Sequence, residues 1–412
     1  MDVWVILILV LEAALALFLL HHEKLLNRPI VLVFSVFLVA AAFIPRALAF
    51  DYETLDYQNF LARWAAFFRD NGGFLALKRQ VGNYNIPYLY FLALFSYIPI
   101  KDLYLIKLLS ILFDVLLAWA SLRLCRRITQ SKGRLLACFF TVLYLPTVFL
   151  NSAVWSQCDS IYVALAVLGI ALALEDRPVP SMICIALSFG IKLQAVFIMP
   201  VYAVLWMDKK FNWKHFLIFP LTYLILVLPA VLLGRPFLET ITLYFSQTGS
   251  IGSGLNYNSP SIFAVFTHFS DPKLASLVAI GIAFLYVLNL LAVAWVNRAA
   301  LNDRAVLAFA LLFAIGIPFL LPHMHERYFY AADILSVILA FAAPAFAPTA
   351  LLVQFASLLG YHAYLKRRYL LLMNNGAAAL ILALALVLIY LLISLNPEAE
   401  RSLRKPAKNK NR

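Results

Sequence analysis

Hydrophobic and polar positions alternate along this chain on the scale of a bilayer. Apolar runs of about 20 residues recur between short polar links, and each is long enough to cross a hydrocarbon layer as a helix. Runs at 3–20 and 29–49 precede a long polar stretch, and others follow at 103–122, 135–151 and 158–175. A pair at 181–191 and 195–207 is too long for one crossing, and Lys192 and Gln194 interrupt it, which predicts two short helices meeting near one face. Spans at 216–233, 273–296, 304–321, 328–345, 348–365 and 376–395 bring the expected count to thirteen. Lipid offers the backbone no water, so these runs must be helical, and their even apolarity does not fit alternating barrel strands. The expected fold class is therefore an all-α polytopic membrane protein, with residues 1–412 forming one membrane domain. Residues 3–20 read as an uncleaved span, since no basic stretch precedes them and no small-x-small site follows.

Charge sets the expected topology. The link HHEKLLNR carries Lys24 and Arg28, which places it inside and the N-terminus outside. The run IPYLYFLALFSYIPI, 86–100, is short for a crossing and is bounded by Pro87 and Pro99. Counting it as a span would put the basic RLCRRITQSKGR segment outside, so it is expected to stay out as an interfacial helix. An external loop then covers 50–102, and a second one, rich in Gly, Ser and Asn, covers 234–259. The triplet Lys366, Arg367 and Arg368 falls outside in this topology, against the rule.

Composition narrows the class further. The 412 residues are 64% hydrophobic and 13% charged, well away from the roughly 45–50% and 25% of soluble domains. The net charge of +13 gathers between Arg123 and Arg134 and in the tail 396–412, both beside spans. That distribution suits a cytoplasmic face against anionic lipid headgroups, and no nucleic-acid partner is expected. Cys125, Cys138, Cys158 and Cys184 lie in or beside spans without paired metal spacing and read as free thiols.

In this topology five polar clusters share the outer side. The first external loop opens FDYETLDYQNFLARW, with Asp51, Glu53 and Asp56 close together. Carboxylates at a membrane surface are solvated, paired or catalytic. Asp56 followed by Tyr57 and by Phe60, Trp64 and Phe67 suits a general base on an amphipathic helix lying on the membrane. It suits equally a helix N-cap. PHMHERYF puts His323, Glu326 and Arg327 at helical spacings, so they would share a face at the start of the span 328–345 and could receive phosphate there. Interfacial capping is the other reading, and a metal site from His323, His325 and Glu326 lacks the four-residue recurrence of a zinc helix. Lys192 ends an apolar run, where it binds phosphate, pairs with a carboxylate such as Asp159, or snorkels. Trp155, Gln157 and Asp159 in NSAVWSQCDS either line an acceptor groove or cap two helices. The loop 234–259 has the glycines of a lid or of a plain loop.

Together these stretches resemble a known superfamily. DYQNFLARW, then GNYNIPYLYFLALFSYIP and IKLLSILFDVLLAW, look like the first external loop and next span of GT-C glycosyltransferases. WSQCDS is similar to their WGQxDS, IKLQ to their (T/S)KxQ and HMHERYF to their HERYF-type element, over roughly residues 45–335. The nearest resemblance is to bacterial proteins related to the GPI-anchor second mannosyltransferase. The resemblance implies inverting, metal- and cofactor-independent transfer of a hexose from a polyprenyl-phosphate donor to an acceptor hydroxyl. The acceptor would be a glycan, lipid or protein on the outer face of a bacterial inner membrane. It places the base at Asp56, with Asp51 and Glu53 as rivals through the match of Asp51-Tyr52-Glu53 to a eukaryotic glucosyltransferase pattern. It places donor-phosphate contacts at His325, Glu326 and Arg327, with Lys192 a nearby basic position. Leu55 stands where the family has a small residue, and Ile86-Pro87 where it has Pro-Pro. His323 joins the donor side by proximity. Gln194, Tyr57 and Trp64 are candidate lining residues beside Trp155, Gln157 and Asp159. Two other classes compete: a polymerase or ligase with a diphosphate donor, which would show arginine pairs on its loops, and a lipid-glycan transporter, which would place charges near mid-membrane.

Overall fold

Helix boundaries in this chain follow proline and capping chemistry. Proline opens helices at Pro29, Pro178, Pro272 and Pro348, where its missing N–H costs nothing and its fixed φ suits the first turn. Asn302 Oδ1 accepts from the backbone N–H groups of Arg304 and Ala305, and Asp271 Oδ1 from those of Lys273 and Leu274, so each caps the helix that follows. The computed structural model describes residues 3–244 and 254–396. Parts of two expected segments, 245–253 of the second loop and 397–412 of the tail, lie outside the described residues.

In chain order the helices are α1 Val3–His22, α2 Pro29–Leu48, α3 Ala62–Asp70, α4 Ile86–Phe95, α5 Asp102–Arg126, α6 Lys132–Tyr144, α7 Pro146–Phe149, α8 Asp159–Leu174, α9 Pro178–Ile191, α10 Val201–Met207, α11 Ile218–Leu232, α12 Phe237–Ile241, α13 Pro272–Val296, α14 Asp303–Leu320, α15 Tyr330–Ala342, α16 Pro348–Lys366 and α17 Met373–Leu395. Among the described residues eight helices are long and apolar enough to cross a membrane, or nine with a pair bent by 42°. That pair is α6 and the segment 146–154, and the bend falls at Leu145, whose successor Pro146 disfavours helical backbone before it. The elements expected at 158–175, 181–191 and 328–345 are the shorter apolar helices α8, α9 and α15, and 86–100 holds the short helix α4. The expected break at Lys192 is present: α9 ends at Ile191, a 3₁₀ turn covers Leu193–Phe197, and α10 follows. The protein is all-α and polytopic.

The chain divides into two compact units. Unit 1 comprises Met1–Val196 and Trp213–Ser253, and its centre is α5, which packs on α1, α6 and α8, with α9 against α8. Both α5 and α8 are buried along most of their length, whereas α1 and α2 show Val10, Leu11, Val33 and Phe37 outward. Unit 2 comprises Phe197–Asn212 and Gly254–Arg412. Here α14 is almost wholly buried, with α13 and α17 packed on it and α16 against α15 and α17. Along α13, Leu277, Val278, Phe284 and Leu285 are exposed, a face that belongs in lipid.

The candidate active site

The path into the site begins with a buried lysine on α5. Lys107 Nζ donates to three backbone carbonyls of the chain leaving α2: Ala49 at 2.7 Å, Phe50 at 3.0 Å and Tyr52 at 2.7 Å. An ammonium has three donors, so this cradle uses all of them and fixes the start of the loop that carries the carboxylates. A π-helical turn, Tyr57–Leu61, follows and runs into α3. Its buried stripe is Tyr57, Leu61, Ala65 and Phe68, at helical spacing. The amphipathic helix expected here exists, but Phe60 lies on its outer side, 51% exposed, with Trp64 beside it at 6.1 Å between ring centroids. The π turn shifts the register by one residue, which a 3.6-residue reading cannot anticipate.

The three candidate carboxylates separate clearly. Asp51 is exposed and accepts from the hydroxyl of Tyr104. Glu53 pairs with Lys101 at 2.8 Å and accepts from Gln58 at 3.3 Å, and these two bonds hold its carboxyl below the usual range. Asp56 is half-buried and faces a different partner set. Its Oδ2 accepts from Trp155 Nε1 at 2.9 Å and lies 3.4 Å from Gln157 Nε2. Asp56 does stand at the N-cap position of the π turn, but its side chain makes no capping bond there. Tyr57, next to it, is buried, and that burial pushes its phenol up to about 12, so it stays protonated at neutral pH.

The turn that presents Trp155 and Gln157 is built from a second π-helical segment, Leu150–Val154, and from Ser156 in left-handed backbone, φ 62°. The left-handed residue reverses the chain and lets the side chains on either side of it reach the same carboxylate. Trp155 is fully buried and Gln157 nearly so. Gln157 Oε1 accepts from Tyr84 OH at 3.2 Å, and its backbone carbonyl accepts from Ser110 Oγ at 2.8 Å. Two residues on, Asp159 pairs with Lys192 and accepts from Asn151 Nδ2 at 2.7 Å. Lys192 Nζ also sits 5.9 Å from the centre of the Tyr84 ring. Of the readings open for Lys192, the structure shows the pairing with Asp159. Trp155, Gln157 and Asp159 are buried; the first two donate to Asp56, and the third pairs with Lys192.

Half-buried Trp64 and Tyr84 and buried Tyr88 form an aromatic cluster beside this network. Trp64 meets Tyr84 edge-on at 5.2 Å, and Tyr84 meets Tyr88 at 4.8 Å. Gly82, at φ +63°, lies so close to the indole that a Cβ there would come within 2.2 Å of it. Gln194 is half-exposed in the 3₁₀ turn after Lys192.

In unit 2 the HMHER segment has a different build from the one its spacing predicts. His323, Glu326 and Arg327 do not share a helix face, because α15 begins only at Tyr330. Pro322 disfavours helix before it, and His323 is itself left-handed, φ 62°. Met324 and His325 instead pair in parallel with Asn256 and Tyr257 as a two-residue ladder. Both ring nitrogens of His323 are engaged, Nδ1 with Gly254 O at 2.7 Å and Nε2 with Ser276 Oγ at 3.3 Å. His325 stacks on Tyr257 at 4.7 Å and 13°, and its side chain is 38% exposed. Buried Glu326 holds Arg327 Nη1 at 3.2 Å. Gly360 of α16 makes room for this turn, since a Cβ there would lie 2.8 Å from Glu326 Cβ and 2.9 Å from Asn258 O. Among the described residues no group of three His, Cys, Asp or Glu side chains is placed to hold a metal ion.

Three charged groups that sequence reasoning passed over join unit 1: Lys107, Arg46 and Asp114. A signal for the last two was visible, since charges of opposite sign inside apolar spans must find one another or water.

The all-α fold with its apolar spans defines an integral membrane protein. The sequence profile of glycosyltransferase family 87 matches residues 83–322, more than half of the chain. The chain belongs to glycosyltransferase family 87, a GT-C-like family of membrane glycosyltransferases, and moves a sugar from a donor to an acceptor. No curated protein and no solved structure matches it. The matched stretch takes in Tyr84, the Trp155–Asp159 turn and Lys192; it begins after Asp56 and ends just before His323.

Proposed function

We propose that this glycosyltransferase transfers a hexose, mannose- or glucose-like, from a polyprenyl-phosphate donor with inversion, on the outer face of a bacterial inner membrane. The observation that carries the reading is Asp56: of three neighbouring carboxylates, it is the one held by Trp155 and Gln157. Asp56 takes the proton of the acceptor hydroxyl as that oxygen attacks C1 and the C1–O bond to phosphate breaks. General bases of this kind contribute roughly 10²–10⁴-fold. The leaving polyprenyl phosphate gains negative charge, and Arg327 with the half-exposed His325 supplies the positive and polar groups for it. His323, with both nitrogens engaged, is assigned to holding the turn, and Glu326 to orienting Arg327. Lys192 stabilises the turn through Asp159. The aromatic pair of Trp64 and Tyr84 suits the apolar face of a sugar.

The test is donor choice. Protein reconstituted in liposomes is offered undecaprenyl-phosphate mannose and glucose and the corresponding diphosphates, with a membrane lipid extract as acceptor. Transfer from a monophosphate donor with inverted product supports the reading. Transfer from diphosphates alone would replace it with the polymerase or ligase class.

A further inference from the structure

Residues 151 and 152 are hooked to two different buried ion pairs. Asn151 reaches Asp159, the partner of Lys192, on one side. Ser152 Oγ reaches Asp114 Oδ2 at 2.6 Å on the other, and the same oxygen accepts from Arg46 Nη2 at 3.0 Å and Nε at 3.2 Å. Arg46 is 2% exposed and Asp114 fully buried. The guanidinium also donates to Ala42 O at 2.9 Å and Leu143 O at 2.8 Å, which ties α2 to the end of α6 just before its bend. The backbone that aims the site hangs on these residues: Trp155 N bonds Leu150 O, Ser156 N bonds Ser152 O, and Gln157 N bonds Asn151 O.

An ion pair inside an apolar span is an expensive way to join helices, and well-packed apolar side chains often do so at least as well. What the pair adds here is direction, because a charged carboxylate with three fixed donors holds Ser152 at one point. We infer that Arg46 and Asp114 are positioning residues of the transfer reaction: through Ser152 they set the register of the Leu150–Val154 turn and so the aim of Trp155 and Gln157 at Asp56. This inference rests on the assignment of Asp56 as base. Neither Arg46 nor Asp114 touches Asp56 itself; a small shift of the turn moves both donors together.

The experiment compares four variants in liposomes, with whichever polyprenyl-phosphate sugar the wild type turns over. Asp56→Asn tests the underlying assignment. Ser152→Ala cuts the link, Ser152→Thr keeps the hydroxyl, and the paired change Arg46→Met with Asp114→Leu removes both charges together. Expected are a kcat fall of about tenfold or more in Ser152→Ala and the paired variant, with donor KM unchanged, and recovery in Ser152→Thr, as for a misplaced catalytic group. Hydrogen exchange at 150–157 should rise in the same two variants while α8 stays protected. Wild-type kcat in both variants, with Asp56→Asn inactive, overturns the inference and leaves the base standing. A KM change without a kcat change also overturns it. An active Asp56→Asn removes the assignment beneath it instead. If the paired variant fails to fold, Ser152→Ala and Ser152→Thr decide alone.

Discussion

The two turns that carry the candidate chemistry are built differently. In unit 1 the Trp155–Asp159 turn is held by side chains: buried ion pairs, amides and hydroxyls take up its polar groups, and the carboxylate it serves stays half-exposed. In unit 2 the His323–Arg327 turn, which has a left-handed residue as the first turn does, is held by a short parallel backbone ladder and by the two ring nitrogens of His323, while the His325 ring remains open to its surroundings. A base must sit within hydrogen-bond reach of one hydroxyl, which favours a rigid mount. Groups that neutralise a leaving phosphate act through charge over a wider range of positions, which tolerates a stacked ring and a half-buried guanidinium.

The sharpest way to break this contrast is to remove one charge from the side-chain mount. Lys192→Met takes its ammonium partner from buried Asp159, and a loss on the order of 3 kcal/mol of stability should go with it, visible as a large fall in thermal stability in detergent. A stability close to wild type would mean that the mount does not depend on the pair. Trp155→Phe keeps an aromatic ring, though a smaller one, and removes one N–H from Asp56, and turnover should fall about tenfold or more, as for a lost hydrogen bond to a charged group worth roughly 1.5–3 kcal/mol. Arg327→Ala should act on the other turn by raising donor KM about tenfold, and because it takes the ion-pair partner from buried Glu326 a fall in thermal stability should accompany it; an unchanged donor KM would take the phosphate role from it. Gly360→Ala forces a Cβ against Glu326 and the Asn258 carbonyl, so a steric cost of roughly 1–3 kcal/mol should appear in unit 2 without altering hydrogen exchange around Trp155. The smallest effect belongs to the exposed pair of Glu53 and Lys101. Because the pair lowers the carboxyl in the folded state, its stabilisation is present above the ordinary value of 4.5 and is lost as pH falls through the lowered one. Solvent screening limits it to a few tenths of a kcal/mol, so Lys101→Met should barely move an acid-unfolding curve.

Much of the fold was legible because lipid imposes a strict length and composition on each span. The expected 29–49 is Pro29–Leu48, 273–296 is Pro272–Val296, and 376–395 is Met373–Leu395. The break at Lys192 was legible too, since a charge and an amide interrupt an apolar run. The HMHER helix was misread because the competing structure is nonlocal: residues 324–325 pair with 256–257, and no spacing within HMHER records that. The ionic tie of Arg46 to Asp114 was half legible. Each charge stands out in its span, but 68 residues separate them, and only packing shows that Ser152 completes the group. Among the carboxylates, sequence left Asp51, Glu53 and Asp56 as rivals; what separates them is which neighbours fold against each.

That separation can be measured directly. Asp56→Asn, Asp51→Asn and Glu53→Gln are near-isosteric, and each removes one carboxylate charge. Assayed side by side for sugar transfer in liposomes at equal protein, Asp56→Asn should lose at least about a hundredfold in kcat, as for a missing general base, while the other two stay within a few-fold of wild type. Near-normal turnover in Asp56→Asn, or abolished turnover in Asp51→Asn or Glu53→Gln instead, would contradict the account.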